Sequence, residues 1–258
     1  MKRFALVAAA VAACSRYGAG ETSELDAGAD GTSDASPEAA VPVDGGTDTS
    51  TDGGCPGVFC DDFESLPIGA SWNSVTAQDG TIAGTNAAKV GAQAMHVTMG
   101  TSTNDLGRNA FLTKTLPAPT RVACTFWVRI EAAPFAGYTD IAAFHSRSLA
   151  AGIKIYSLIL AIDPGGIGLR EDVTGTDGGC ACPRKTVAVT PIVDATWTKI
   201  RFSFDFKKAT ISKNDQVVYE DTFGNFTPDQ LSFDLGLRAY TKSAVDASYD
   251  ELVCEVTP

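Results

Sequence analysis

From residue 58 onward the chain alternates apolar and polar side chains with a period of two, the signature of half-buried strands. In residues 121–131, Val122, Cys124, Phe126, Val128 and Ile130 share one face, and Thr125, Trp127, Arg129 and Glu131 the other. Residues 198–206 place Ile200, Phe202, Phe204 and Phe206 on one side and Lys199, Arg201, Ser203 and Asp205 on the other. In 231–240, Leu231, Phe233, Leu235 and Leu237 face inward, against Ser232, Asp234, Gly236, Arg238 and Tyr240. Residues 152–163 are apolar on both faces, which predicts a central strand covered on both sides. Residues 164–166 turn the chain into 167–173. Residues 209–221 predict a hairpin around Asn214 and Asp215, two residues that tolerate turn geometry. One short helical turn is expected, at Thr227–Leu231. About a dozen short alternating strands require two packed sheets, so the predicted fold is an all-β, antiparallel two-sheet sandwich.

The first 54 residues follow another pattern. Lys2 and Arg3 precede an apolar run from Phe4 to Ala13, which ends at Val11–Cys14. The run is too short for a mature membrane span and suits a signal peptide. Its end resembles a bacterial lipobox, which implies acylation of Cys14 and cleavage before it. Ser15 after that cysteine favours an outer-membrane or cell-surface destination. Residues 15–54 hold nine acidic side chains, one basic one and Tyr17 as the sole aromatic. Such a composition cannot bury enough apolar surface to offset chain entropy and predicts a disordered acidic tether. Most of the chain's net charge of −11 lies there. The expected organisation is a signal peptide and lipobox at 1–14, a linker at 15–54 and one domain at 55–258. The only membrane partner implied is the lipid anchor. A nucleic-acid partner is excluded, because the domain carries no basic patch.

Six of the seven cysteines remain after Cys14: Cys55, Cys60, Cys124, Cys180, Cys182 and Cys254. An even set in an exported domain argues for disulfides, with fifteen arithmetical pairings. Zinc is disfavoured, since Cys180-Ala-Cys182 lacks the usual two-residue spacing and no histidine lies nearby.

The segments FCDDFES (59–65), FWVRI (126–130), ATISKNDQVVYED (209–221), LSFDLGLRAY (231–240) and SYDELVCEV (248–256) together resemble a bacterial concanavalin A-like, laminin-G-like jelly roll. The resemblance covers about residues 58–256 and rests on strand patterns, not on catalytic signatures. It implies that first and last strands lie side by side, that the concave sheet or rim loops carry any ligand, and that the activity is glycan binding, glycan cleavage or adhesion. Cys60 would then lie near Cys254. Cys124 would do so if its strand is the neighbour, and Cys55 could close a small loop to Cys60.

Several residues are site candidates. Trp127, Arg129, Arg170, Arg238 and Tyr240 alternate away from the core and, if joined on one face, offer rings and guanidinium groups to a polysaccharide. The arginines bias such a ligand toward anionic glycans, and Gly236 would leave backbone room for it. The plainer reading is an exposed face with arginine stems laid over Trp127. His145, Tyr156 and Arg170 match the Tyr, His and Arg by which lyases of similar fold remove a proton beside a uronate. His96 reads as a core or edge histidine. No E-x-D-x-E strand of a retaining glucanase occurs, and no G-x-S-x-G. The family resemblance also implies a structural calcium, with Asp62 and Asp250 as its ligands; no other cofactor is implied. The expected function is therefore non-catalytic glycan binding or adhesion by a surface-anchored lipoprotein. A polysaccharide lyase and a ligand-free envelope protein are the alternatives. Asp61 poses a separate question. Alternation sets it on the face of Phe59 and Phe63, where a carboxylate needs either a bulge or a partner.

Overall fold

The computed structural model describes residues 55–103, 107–132, 137–163, 166–190 and 195–258, the stretch 180–190 by its backbone only. Expectations for residues 1–54, including Cys14, and for the thiols of Cys180 and Cys182 fall outside the described residues.

The described residues form two antiparallel sheets. The first contains β1 (Phe59–Asp61), β3 (Thr81–Thr85), β4 (Ala94–Met99), β6 (Arg121–Ala132), β11 (Thr198–Phe204), β12 (Lys208–Lys213), β13 (Gln216–Thr222) and β15 (Val245–Thr257). Its order is β13-β12-β11-β6-β15-β4-β3, with β1 also on β15. The second contains β2 (Ser74–Gln78), β5 (Arg108–Leu116), β7 (Tyr138–Ser148), β8 (Ile153–Asp163), β9 (Gly166–Gly175), β10 (Cys180–Thr190) and β14 (Gln230–Tyr240). Its order is β10-β9-β8-β7-β14-β5-β2. This is a concanavalin A-like jelly-roll sandwich, and the first strand does pair with the last, Phe59 opposite Cys254.

The inward phenylalanines close the sandwich as their alternation requires. Phe144 of β7 meets Phe202 of β11 with ring centroids 4.5 Å apart, across the two sheets. Phe126 lies 6.4 Å from Phe233 and 6.3 Å from Tyr249. Each such ring contributes roughly 1.5–3 kcal/mol by leaving water. The β12–β13 hairpin turns at Asn214 and Asp215, with φ of 49° and 66°. Two consecutive positive φ values give the twist that matches antiparallel strands. The helical turn expected at 227–231 does not form. Asp229 accepts the Leu149 amide on its carboxylate, donates its own amide to the Arg147 carbonyl, and so leads straight into β14.

The cysteine alternatives resolve by register. Cys124 of β6 lies opposite Cys254 of β15, and these two buried residues are bridged. Cys60 bridges to Cys55 instead of to Cys254. The first bridge spans 130 residues and the second 5. Loop-closure entropy makes them worth roughly 5 and 2 kcal/mol. Two disulfides fit an oxidising, extracytoplasmic compartment.

Asp61 is held by partners, not by a bulge. Its carboxylate accepts bonds from the Phe63 amide at 2.8 Å, the Ser71 hydroxyl at 2.7 Å and the Trp72 indole N–H at 2.6 Å. Phe63, two residues past the end of β1, takes a positive φ of 58° and buries its ring. The carboxylate thus anchors the loop after β1, with Trp72 packed edge-on to Phe59 at 5.1 Å.

Candidate functional site

The polar positions of β7, β9 and β14 share the outer face of the seven-stranded sheet. Strand register sets Arg238 of β14 beside Asp140 of β7 and Asn109 of β5, and Tyr240 beside Tyr138. A register shift at Asp140–Ala142 resets the alternation of β7. Ile141 therefore enters the core, while Tyr138, Asp140 and His145 face outward together. Strict alternation would put Ile141 on the face of His145, four residues on; the bulge puts it on the other.

Arg170 of β9 is the centre of the face. It is only 8% exposed. Its guanidinium lies 3.3 Å from Asp140 and 3.1 Å from Asp172. It also sits 4.4 Å from the Tyr138 ring centroid and 5.6 Å from that of Tyr240. These two rings are themselves 4.8 Å apart. Burial works to discharge Arg170, but the two aspartates outweigh it and hold the cation more firmly than usual. Burial raises the Asp140 carboxyl, partly offset by Arg170 and Arg238. Burial and Asp140 push the Tyr240 hydroxyl up to about 12, so the ring stays a neutral donor at physiological pH.

Arg238 makes a second group. Its Nε donates to Asn109 at 3.1 Å, its Nη2 lies 3.5 Å from Asp234, and its plane lies 4.7 Å from the Phe111 centroid. Asp234 in turn lies 3.1 Å from His145 Nε2, and His145 Nδ1 contacts the Ser157 hydroxyl at 2.8 Å. Burial alone would raise the Asp234 carboxyl; His145, Thr113 and Arg238 outweigh it and hold it below the usual range. Five buried polar atoms of this face lack a hydrogen bond: Asp140 Oδ1, His145 Nε2, Arg170 Nη1, Asp172 Oδ1 and Asp234 Oδ1. Several sit at ion-pair distance but at angles that make no hydrogen bond, for example Arg170 Nη1 at 3.3 Å from Asp140 Oδ1. Buried polar atoms without bonds are uncommon, and a cluster on one surface points to ligand hydroxyls or water as partners.

The five expected ligand-face residues do not share a surface. Arg170, Arg238 and Tyr240 lie in the seven-stranded sheet, but Trp127 and Arg129 lie on β6 of the other one. There Trp127 donates to Glu251 at 3.1 Å and lies under Lys89 Nζ at 4.7 Å. Arg129 pairs with Glu131 and covers Trp197 at 5.3 Å. Alternation reports which side of its own strand a residue takes, not which sheet the strand joins. The lyase trio is divided as well. His145 and Arg170 face outward, whereas Tyr156 is buried between the sheets, stacked 5.5 Å from Phe204, its hydroxyl donating to Glu171 at 2.8 Å.

Gly236 serves the sheet, not a ligand. Its φ is 132°, and a Cβ there would lie 2.5 Å from the Ala110 carbonyl of the neighbouring strand. The expected calcium ligands do different work. Asp250 accepts the amides of Lys89 and Val90 at 2.7 and 2.9 Å on one oxygen and that of Glu251 at 2.8 Å on the other. Asp62 caps its own turn through the Glu64 amide at 3.1 Å. N–H groups aimed at both Asp250 oxygens suit a loop anchor better than a cation ligand, which needs free lone pairs. Tyr138, Asp140 and Asp234 were missed as site residues; the bulge hid the first two, and Asp234 read as an ordinary outward aspartate.

No family model matches the chain, and no curated protein does. Solved structures match over most of the domain. A cellulose induced protein, Cip1, has a TM-score of 0.55 at 15% identity, covering 78% of this chain and 99% of its own. The kappa-carrageenase of Pseudoalteromonas carrageenovora, solved with an oligotetrasaccharide of kappa-carrageenan, has a TM-score of 0.52 at 12% identity, covering 76% and 92%. At these identities the likeness is one of fold.

Proposed function

We propose that the outer face of the seven-stranded sheet binds a hydroxyl-rich glycan without cleaving it. The supporting observation is the floor built by Arg170, Asp140, Arg238 and Asp234 beside the Tyr138–Tyr240 ring pair. Guanidinium and carboxylate groups bond sugar hydroxyls in pairs, and tyrosine faces accept the apolar CH face of a pyranose. Two arginines meet three aspartates, Asp140 and Asp172 at Arg170 and Asp234 at Arg238, so the face carries no excess of positive charge. That balance argues for an uncharged glycan in place of the anionic one that two arginines alone suggest. The absence of cleavage rests on Tyr156 lying on the inner face, out of reach of any substrate at His145. The domain's place in the cell follows the sequence: an exported lipoprotein, carried by Cys14 on an acidic tether to the outer membrane or cell surface.

A glycan array probed with the full chain tests this reading. Binding to neutral polysaccharides is expected, weakened about three- to tenfold by Tyr240→Ala, the worth of one stacked ring, and unchanged by Trp127→Ala. No binding, or equal loss in both variants, would remove the proposal. One observation favours a second reading: Asp234 beside His145 is an arrangement that orients a base. Unsaturated-product absorbance from uronate polymers, abolished by His145→Ala, would establish a lyase instead.

A further inference from the structure

The outer face of the eight-stranded sheet brings together three side chains from adjacent strands. They are His96 of β4, Asp246 of β15 and Glu131 of β6, each offering one ligand atom within 4.8 Å of the others. His96 Nε2 lies 2.5 Å from Asp246 Oδ1. Register accounts for the meeting, since Ser248 is opposite both His96 and Arg129, and Asp246 opposite Ala132. The three side chains are 30%, 33% and 23% accessible, so the cluster lies at the surface, with Glu131 Oε2 as its buried corner.

Glu131 is oriented as a ligand. Its Oε1 takes three donors: Arg129 Nη2 at 2.6 Å, Arg129 Nε at 2.7 Å and the Ser248 hydroxyl at 2.9 Å. Its Oε2 is buried and has no hydrogen-bond partner. Fixing one carboxylate oxygen while leaving the other unsatisfied is what an outer shell does for a metal ligand. Burying that atom unpartnered costs about 1–3 kcal/mol with no other return in the fold.

From these observations the geometry points to a divalent transition-metal site formed by His96, Glu131 and Asp246. One imidazole nitrogen and two carboxylates select zinc, cobalt or nickel over calcium, which prefers six to eight oxygens. Zinc bonds of about 2.0–2.1 Å at tetrahedral angles need His96 and Asp246 about 3.3 Å apart. An ion held between the two therefore opens their contact by less than 1 Å. Water fills the fourth position. The site lies on the sheet opposite the glycan face and does not depend on that assignment.

The test is titration of the chelator-stripped full chain with Co²⁺ and Zn²⁺, followed by calorimetry and by the cobalt visible spectrum. One ion per chain is expected, with a spectrum of nitrogen and oxygen ligation. His96→Ala should weaken binding at least about a hundredfold and Ser248→Ala about tenfold, as losses of a ligand and of an outer-shell partner do. Glu131→Gln, which keeps the shape of the side chain, should act like His96→Ala if the protein's thermal transition is unchanged. No binding overturns the proposal. So does a thiolate charge-transfer band, or binding unchanged in His96→Ala and Glu131→Gln, since either places the ion elsewhere.

Discussion

The two outer faces of this sandwich use the same residue types for different ends. Both carry arginine, aspartate or glutamate, and aromatic rings. On the seven-stranded sheet the charges are sunk: the Arg170 and Asp140 side chains are 9% and 6% accessible. On the eight-stranded sheet Arg201 and Glu255 form an ion pair 2.6 Å long with side chains 40% and 47% accessible. The second pair is the shorter and yet the weaker. Water competes for its charges, and two long side chains lose rotamer freedom to hold it. The sunk pair has no such competition, and its partners become indispensable to each other. Depth, not distance, decides which ion pair matters.

Three measurements sharpen or break that contrast. The largest effect is expected from Arg170→Ala, which strands the Asp140 carboxylate. Urea unfolding should report a loss of about 3–5 kcal/mol, and the Arg170→Ala, Asp140→Ala double variant should recover part of it. A cost below about 1 kcal/mol for the single variant would make the faces energetically alike. An intermediate effect concerns pH. Asp234 is held below its ordinary value of 3.8, so its contribution is complete above 3.8 and lost as pH falls through its lower folded value. Asp140 is raised above 3.8. The stability tied to its neutral form is complete below 3.8 and lost as pH rises through the folded value. Unfolding across the acid range should therefore show Asp234→Asn converging on the wild type at low pH, and Asp140→Asn gaining on it as pH rises from 3.8. Parallel curves for both would contradict the assignment. The smallest effect is Arg201→Ala, expected within about 1 kcal/mol of wild type in the same unfolding assay.

Much of the fold was legible. Alternation in β6, β11 and β14 selected the buried rings, because a strand has two sides and only one can face the core. The Asn214–Asp215 turn was legible for a local reason, since both residues accept positive φ. The site was legible only in fragments. Arg170, Arg238 and Tyr240 do alternate away from the core, but Trp127 and Arg129 were joined to them across a gap that no local pattern reveals. Asp140 and Tyr138 were hidden by one bulge, which shifts a strand's faces without a mark in composition.

By itself the sequence determined an all-β sandwich, the inward and outward sides of its strands, and a cysteine set suited to export. Those are local properties, set by side-chain period and by the chemistry of short segments. Only the tertiary structure decided which outward residues share a sheet, which cysteines pair, and that Asp61 and Asp250 anchor loops. Each depends on strand order and register, which are fixed by contacts between residues far apart in the chain.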